Sequence, residues 1–126
     1  MPENAIPPDV CTFILAHIDS IGAIEALLLL RRNQDQSWTS DNVGKRLYIS
    51  EAEAREVLNQ LHEDGLIQND GNAFRYQMLE SGREDLMQRL TDIYQTQLVA
   101  VTKVIHAKPR RIREFANAFK LRKDRG

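Results

Sequence analysis

Apolar residues recur at helical spacing along most of this 126-residue chain. Between Pro8 and Ile18 they lie three and four positions apart, which predicts a first helix opened by a pair of prolines. From Ile21 to about Arg32 the sequence is apolar nearly all round, and Ser20 is placed to cap that segment. A helix without a polar face must be covered on several sides, so this segment is predicted to form the centre of the core.

The middle of the chain predicts two further helices separated by a tight turn. Ser40 is the expected N-cap of a short helix that ends near Leu47. Residues 48–50 form the turn, and Ser50 is the expected cap of the second helix, whose apolar side chains share one stripe. Gly65 follows at a position where a helix C-cap requires positive φ.

A small hairpin is predicted after the second of these helices. Asp70-Gly71 is among the strongest short signals for such a turn, and Phe74 and Tyr76 alternate along the returning strand. Trp38 is expected to add a brief strand beside this hairpin with its indole packed beneath, rather than to stack in the open.

The C-terminal third predicts one long helix and a basic tail. Residues 81–84 have the spacing of a capping box, and an apolar stripe then continues to about Lys108, before Pro109. A single helix of that length spans about 40 Å, so part of its stripe is expected to pack against a second copy of the chain. Residues 110–126 suggest a short amphipathic helix, which folds back on the body or docks on a membrane or partner.

The order of these elements resembles the winged helix-turn-helix of bacterial transcription regulators, broadly the MarR and PadR groups. The resemblance rests on Ile49-Ser50, on Leu58 and Leu61, and on the run Gly65-Leu66-Ile67. It implies a mainly α fold with a β-hairpin wing, an N-terminal helix and a long C-terminal helix. It also implies a winged helix-turn-helix domain over residues 1–79, a dimerisation helix over 80–108 and a basic amphipathic tail over 109–126.

Charge is distributed unevenly although the net charge is only −1. Residues 108–126 hold eight Lys or Arg and two Asp or Glu, and the rest of the chain holds nine and sixteen. An acidic body therefore carries a basic tail, which either answers that body across an interface or attracts phosphates. A single cysteine, Cys11, and the lack of a membrane span favour a cytoplasmic protein.

The sequence offers little for catalysis. His17, His62 and His106 fall on three different predicted helices, and no paired metal-ligand spacing or glycine-rich phosphate loop occurs. We therefore expect neither an enzyme nor a cofactor or metal site.

Duplex DNA is the first partner that the resemblance implies, because the second motif helix of this family enters the major groove. Arg55 suits guanine and Asn59 suits adenine, and phosphates would be met by cations of the first motif helix, the wing and the tail. The predicted DNA-binding residues are Lys45, Arg46, Ala52, Glu53, Arg55, Glu56, Asn59, Arg75, Arg110, Arg111 and Arg113.

A protein partner is the alternative, because the second motif helix is unusually acidic. Glu51, Glu53, Glu56 and Glu63 would repel phosphates but could dock a basic protein surface. The sequence thus supports two hypotheses: a dimeric DNA-binding regulator, and an interaction module that does not bind DNA.

Overall fold

A computed structural model describes residues 6–77 and 83–107 of the chain. Within them lie six helices and one two-stranded antiparallel sheet, so the predicted mainly helical fold with a small hairpin is confirmed. The elements are α1 (Pro8–His17), α2 (Ile21–Arg32), α3 (Ser40–Leu47), α4 (Glu51–Glu63), β1 (Ile67–Asn69), β2 (Phe74–Tyr76), α5 (Arg83–Thr96) and α6 (Leu98–Ala107).

Helix α2 lies at the centre of the core, as its apolar sequence predicted. The Ser20 hydroxyl accepts from the amide of Ala23 at 3.1 Å and fixes the start of the helix. From Ala23 to Leu30, Glu25 alone is not buried, and its carboxylate accepts a 2.6 Å hydrogen bond from the phenol of Tyr94. Helices α3 and α4 and strand β2 all pack on α2, so they share one support.

Helices α3 and α4 are joined by the predicted turn, with one correction at the first cap. Thr39, not Ser40, is the N-cap of α3, and its hydroxyl accepts from the Asn42 amide at 3.1 Å. Ser40 is instead the first helical residue and is buried. The prediction was wrong because Thr39 and Ser40 both carry a hydroxyl that suits an N-cap. The burial of Ser40 decides which of the two serves as the cap. Ser50 caps α4 through the Glu53 amide at 3.0 Å, as predicted.

The hairpin follows a glycine cap, and its register is fixed by three pairs. Gly65 has φ 78°, the conformation predicted for the end of α4. Ile67 faces Tyr76 and Asn69 faces Phe74, and Trp38 forms the predicted bridge to Phe74 with 6% of its surface exposed. At the tip, the Asp70 amide donates to the Ala73 carbonyl at 2.8 Å, so residues 71 and 72 make the turn.

The predicted single long C-terminal helix is wrong, because the structure has two helices that meet at Gln97. The Gln97 amide donates to the Ile93 carbonyl at 2.6 Å, and the Gln97 carbonyl accepts from the Val101 amide at 3.0 Å. Both helices pack on α1, and α6 buries Val101 and Ile105. The break therefore lets the second half of the stripe cover α1, and helix length no longer argues for a second copy.

Three expectations lie outside the described residues: the first part of the capping box at 81–84, the stop at Pro109 and the amphipathic tail. Within residues 6–77 and 83–107, no single helix has both the length and the apolar character needed to cross a membrane. Helices α1 and α2 reach that length and composition only together, and they are bent by 108°.

Gly44 is required by the close approach of α3 to the turn that follows it. A Cβ at this position would lie 2.9 Å from the backbone carbonyl oxygen of Ile49, whereas a Cβ at Gly22 would meet nothing nearer than 3.7 Å. We therefore expect Gly44→Ala to lower the free energy of unfolding by about 1–3 kcal/mol, because the turn must shift. Gly22→Ala, the matched control, should leave it unchanged or raise it by up to about 1 kcal/mol. Urea unfolding measures both, and equal effects would contradict the close-approach argument.

Candidate functional site

Helix α4 turns one side to the core and leaves the other side exposed. Ala54, Leu58 and Leu61 are fully buried, which holds the helix against α2 and α3. The residues predicted to face DNA from this helix are all exposed: Ala52, Glu53, Arg55, Glu56 and Asn59. We call Glu51, Ala52, Arg55, Glu56 and Asn59 the outer face of α4.

Glu53 is exposed but belongs to a different side of the helix. Its carboxylate lies beside Gly22 near the start of α2, as does the side chain of Val57 one turn later. The structure therefore separates Glu53 from Arg55 and Asn59, with which the sequence had grouped it.

A polar groove runs between α3, the outer face of α4 and the hairpin. It brings together Arg55 and Asn59, as predicted, with residues that lie far away in the sequence. The lining residues are Thr39, Ser40, Asp41, Glu51, Arg55, Asn59, Asn69, Gly71, Asn72 and Phe74. Amide, hydroxyl, carboxylate and guanidinium groups thus share one open depression, which suits a ligand edge that offers both donors and acceptors.

Arg55 is held at the start of the groove by an ion pair along its own helix. Its guanidinium donates to the Glu51 carboxylate at 2.6 Å, and both side chains are about half exposed. An exposed pair four residues apart contributes only about 0.3–0.5 kcal/mol. The pair positions Arg55, but it is weak enough for the Arg55 guanidinium to leave Glu51 and bind another acceptor.

A second depression lies along α3 and carries positive charge. Its lining residues are Gln36, Ser37, Trp38, Asn42, Lys45 and Arg46, and none of these has a carboxylate. The Arg46 guanidinium lies over the Trp38 ring, 5.5 Å from its centroid, which holds the charge in place by a cation–π contact. Lys45 forms an exposed pair with Asp41 at 3.2 Å. We call this depression the cationic cleft.

The remaining predicted cations contribute less to these two depressions. Arg75 lies on β2, is half-buried and faces Gln68 across the hairpin. Arg110, Arg111 and Arg113 lie outside the described residues. Around α3, α4 and the hairpin the carboxylates outnumber the cations, as Asp41, Glu51, Glu53, Glu56, Glu63 and Asp70 stand against Lys45, Arg46, Arg55 and Arg75.

Sequence inspection missed the uncharged members of both depressions. Gln36, Ser37 and Asn42 line the cationic cleft, and Asn69 and Asn72 line the polar groove. Their only signal in the sequence is their place next to Trp38 and at the hairpin tip, where polar residues are common for reasons of turn geometry alone.

The histidines do not form a metal centre in the described part of the chain, where no three His, Cys, Asp or Glu side chains lie close enough to share an ion. His17 instead contacts Asp64, with 2.9 Å between Nδ1 and the carboxylate, and so ties α1 to the end of α4.

Comparison with protein-family models, with curated proteins and with solved structures finds no significant match to this chain.

A chain of two hydrogen bonds joins the hairpin to α5 and α2 beside the groove. The phenol of Tyr76 donates to Glu84 at 2.7 Å, and Glu84 in turn accepts from Arg31 of α2 at 2.9 Å. The hydrogen bond from Tyr76, followed by the Arg31 guanidinium, holds the pKa of Glu84 below its ordinary value. Burial, with the Glu84 carboxylate, raises the pKa of Tyr76, which keeps its phenol a donor.

We expect the difference in stability between the wild type and Glu84→Gln to depend on pH in a defined direction. Because the folded-state pKa of Glu84 is depressed, its contribution is complete above the ordinary value of 4.5 and is lost as the pH falls through the lower, folded value. The variant should be less stable than the wild type near pH 7 by no more than about 1 kcal/mol, since the carboxylate is half exposed. This difference should vanish in acid.

Urea unfolding at several pH values between about 3 and 7 measures this difference, because that range includes the ordinary pKa of a glutamate carboxyl group. Asp85→Asn is the control, because Asp85 is the adjacent carboxylate and pairs with Arg89 instead of the hairpin. A stability difference for Glu84→Gln that stays constant with pH would contradict the proposed anchoring.

Proposed function

We propose that this protein is a winged helix-turn-helix regulator that binds duplex DNA, with α4 as the recognition helix and the β1–β2 hairpin as the wing. The observation that carries the proposal is the exposure of Arg55 and Asn59 side by side with the hairpin tip in one polar groove. Arginine suits the acceptor pair of guanine, and asparagine suits the donor and acceptor of adenine.

The dimensions of α4 support this proposal. Its thirteen residues give a rod of about 20 Å, and a bare helix fits the major groove of B-DNA, which is about 12 Å wide. The outer face is not covered by any described element, since its residues are all exposed. A helix that is anchored on one side and open on the other is the geometry that direct base recognition requires.

Phosphates would be met by the cationic cleft. Lys45 and Arg46 supply charge there, and Gln36, Ser37 and Asn42 supply neutral donors. The ion pair of Lys45 with Asp41 is exposed, so a phosphate can replace the carboxylate at little cost. Arg75, Arg110, Arg111 and Arg113 remain predicted contributors to the same electrostatic attraction.

We further propose that two copies act together through the C-terminal helices. The junction of α5 and α6 leaves Leu98 49% exposed and Val99 69% exposed. These two adjacent aliphatic side chains at the start of α6 are suited to pack against the same helix of a second copy of the chain. A dimer would double the number of phosphate contacts per complex.

An interaction module that docks a basic protein surface is the second candidate. It is favoured by Glu56 and Glu63, which are exposed on α4 and have no ion-pair partner among the described residues. Those carboxylates repel a DNA backbone but would meet lysine or arginine on a partner without prior rearrangement.

Arg55→Ala and Lys45→Ala are predicted to weaken DNA binding in different ways. Loss of Arg55 should relax preference at one base position, because a good bidentate contact discriminates by about 1–3 kcal/mol. Loss of Lys45 should weaken all duplexes alike and reduce the salt slope by about one unit. Selection from a random duplex pool, followed by titration of the enriched sequences, measures both. Similar losses of preference in the two variants would contradict the assigned roles.

Glu56→Gln separates the two candidate functions. If α4 enters DNA, removal of this carboxylate should strengthen duplex binding, because one repulsion of phosphates is lost. If α4 docks a basic protein, the same variant should weaken capture of that partner. Retention of the wild type on duplex DNA below about 50 mM salt is the companion measurement, and failure to bind there would exclude phosphate contacts.

A further inference from the structure

Tyr48 occupies the turn between α3 and α4 in a conformation that tyrosine rarely adopts. Its φ is 62° and its ψ is 42°, which is the left-handed region. Among the described residues it is the one non-glycine residue with positive φ. The Cβ of an L-residue crowds the backbone in this region, so glycine or asparagine is the usual choice.

The fold gains nothing visible from the tyrosine side chain at this point. The residue is 94% exposed, the largest fraction among the exposed large apolar side chains of the described residues. Its amide donates to the Gly44 carbonyl, but any non-proline residue would supply that backbone group. An exposed aromatic ring on a strained backbone is therefore a cost to the free protein, and such costs concentrate at sites of function.

The position of Tyr48 indicates what the ring contacts. It follows directly on α3, three residues after Lys45 and two after Arg46, which line the cationic cleft. On its other side, two residues later, Ser50 caps α4, whose first turn carries Glu51 and Glu53. An aromatic side chain with a hydroxyl donor next to the cationic cleft suits a sugar-phosphate backbone, where the ring packs on a sugar and the hydroxyl donates to a phosphate.

We propose that Tyr48 is a DNA-backbone contact, with its ring against a sugar and its phenol donating to a phosphate oxygen of the duplex. This inference rests on the proposed function and adds to it a residue that the charge pattern alone does not select. It assigns to the turn a contact that fixes the depth of α4 in the groove and carries no base preference.

Tyr48→Gly and Tyr48→Asn test the proposal because they remove the ring and keep the turn conformation. Both variants should weaken binding of every duplex by at least about tenfold, because the hydrogen bond to a charged group alone is worth about that much and the ring contact is lost as well. The salt slope should stay that of the wild type, because no charge is removed. The melting temperature should stay unchanged or rise by about 2–4 °C, since backbone strain is relieved.

The control is Leu15→Ala, which truncates another exposed large apolar side chain, on α1, and should not change affinity. Tyr48→Phe adds a second measurement, and it should show part of the loss because only the hydroxyl is removed. Binding is measured by titration of labelled duplexes that the wild-type protein has selected from a random pool.

The outcomes separate this inference from the proposed function. Wild-type binding together with unchanged binding by Tyr48→Gly overturns the backbone contact and leaves the regulator proposal standing. A lower melting temperature in Tyr48→Gly and Tyr48→Asn overturns it as well, because the ring would then serve the fold. Wild-type protein that binds no duplex overturns both, and protein capture that depends on Tyr48 would then assign the turn to the interaction module.

Discussion

The apolar surface of α2 is the constraint on which the arrangement of the other elements depends. Its side chains from Ala26 to Leu30 are at most 2% exposed, and each large one buried contributes about 1.5–3 kcal/mol. Because apolar residues surround this helix, no single neighbour can cover it. Helix α3, helix α4 and strand β2 each cover part of it, so their relative positions follow from their common support. The polar groove lies on the outer side of this packing, because the elements that border it are the ones that pack on α2.

Polar contacts at the rim of this core act on orientation more than on total stability. Tyr76, Glu84 and Arg31 join the hairpin, α5 and α2, and His17 with Asp64 joins α1 to the end of α4. Partly exposed polar contacts of this kind contribute little free energy. Their geometry nevertheless selects one placement of the hairpin and one of α1 among those that burial of apolar surface would allow.

The surface formed by α3, α4 and the hairpin is not built for maximal stability. Tyr48 keeps a left-handed backbone and an exposed ring, and α4 leaves Glu56 and Glu63 without opposite charges among the described residues. If the proposed function is correct, favourable contacts of this surface with its partner compensate for the strain and the unpaired charges. The excess of carboxylates would lower affinity for DNA in general, so that recognition relies on the few groups placed in the groove and the cleft.

Local signals in the sequence were enough to determine α1, α2, α4, the Gly65 cap and the bridge of Trp38, because helical periodicity, capping and turn chemistry act over a few residues. They also identified Arg55 and Asn59 as outward-facing, since the opposite stripe of α4 is plainly apolar. Only the tertiary structure decided the break at Gln97, where no proline or glycine interrupts the apolar stripe and the helices on both sides pack on α1. It alone showed Thr39 rather than Ser40 as the cap, and it alone assembled the groove from three segments, because burial and proximity arise between residues that are distant in the chain.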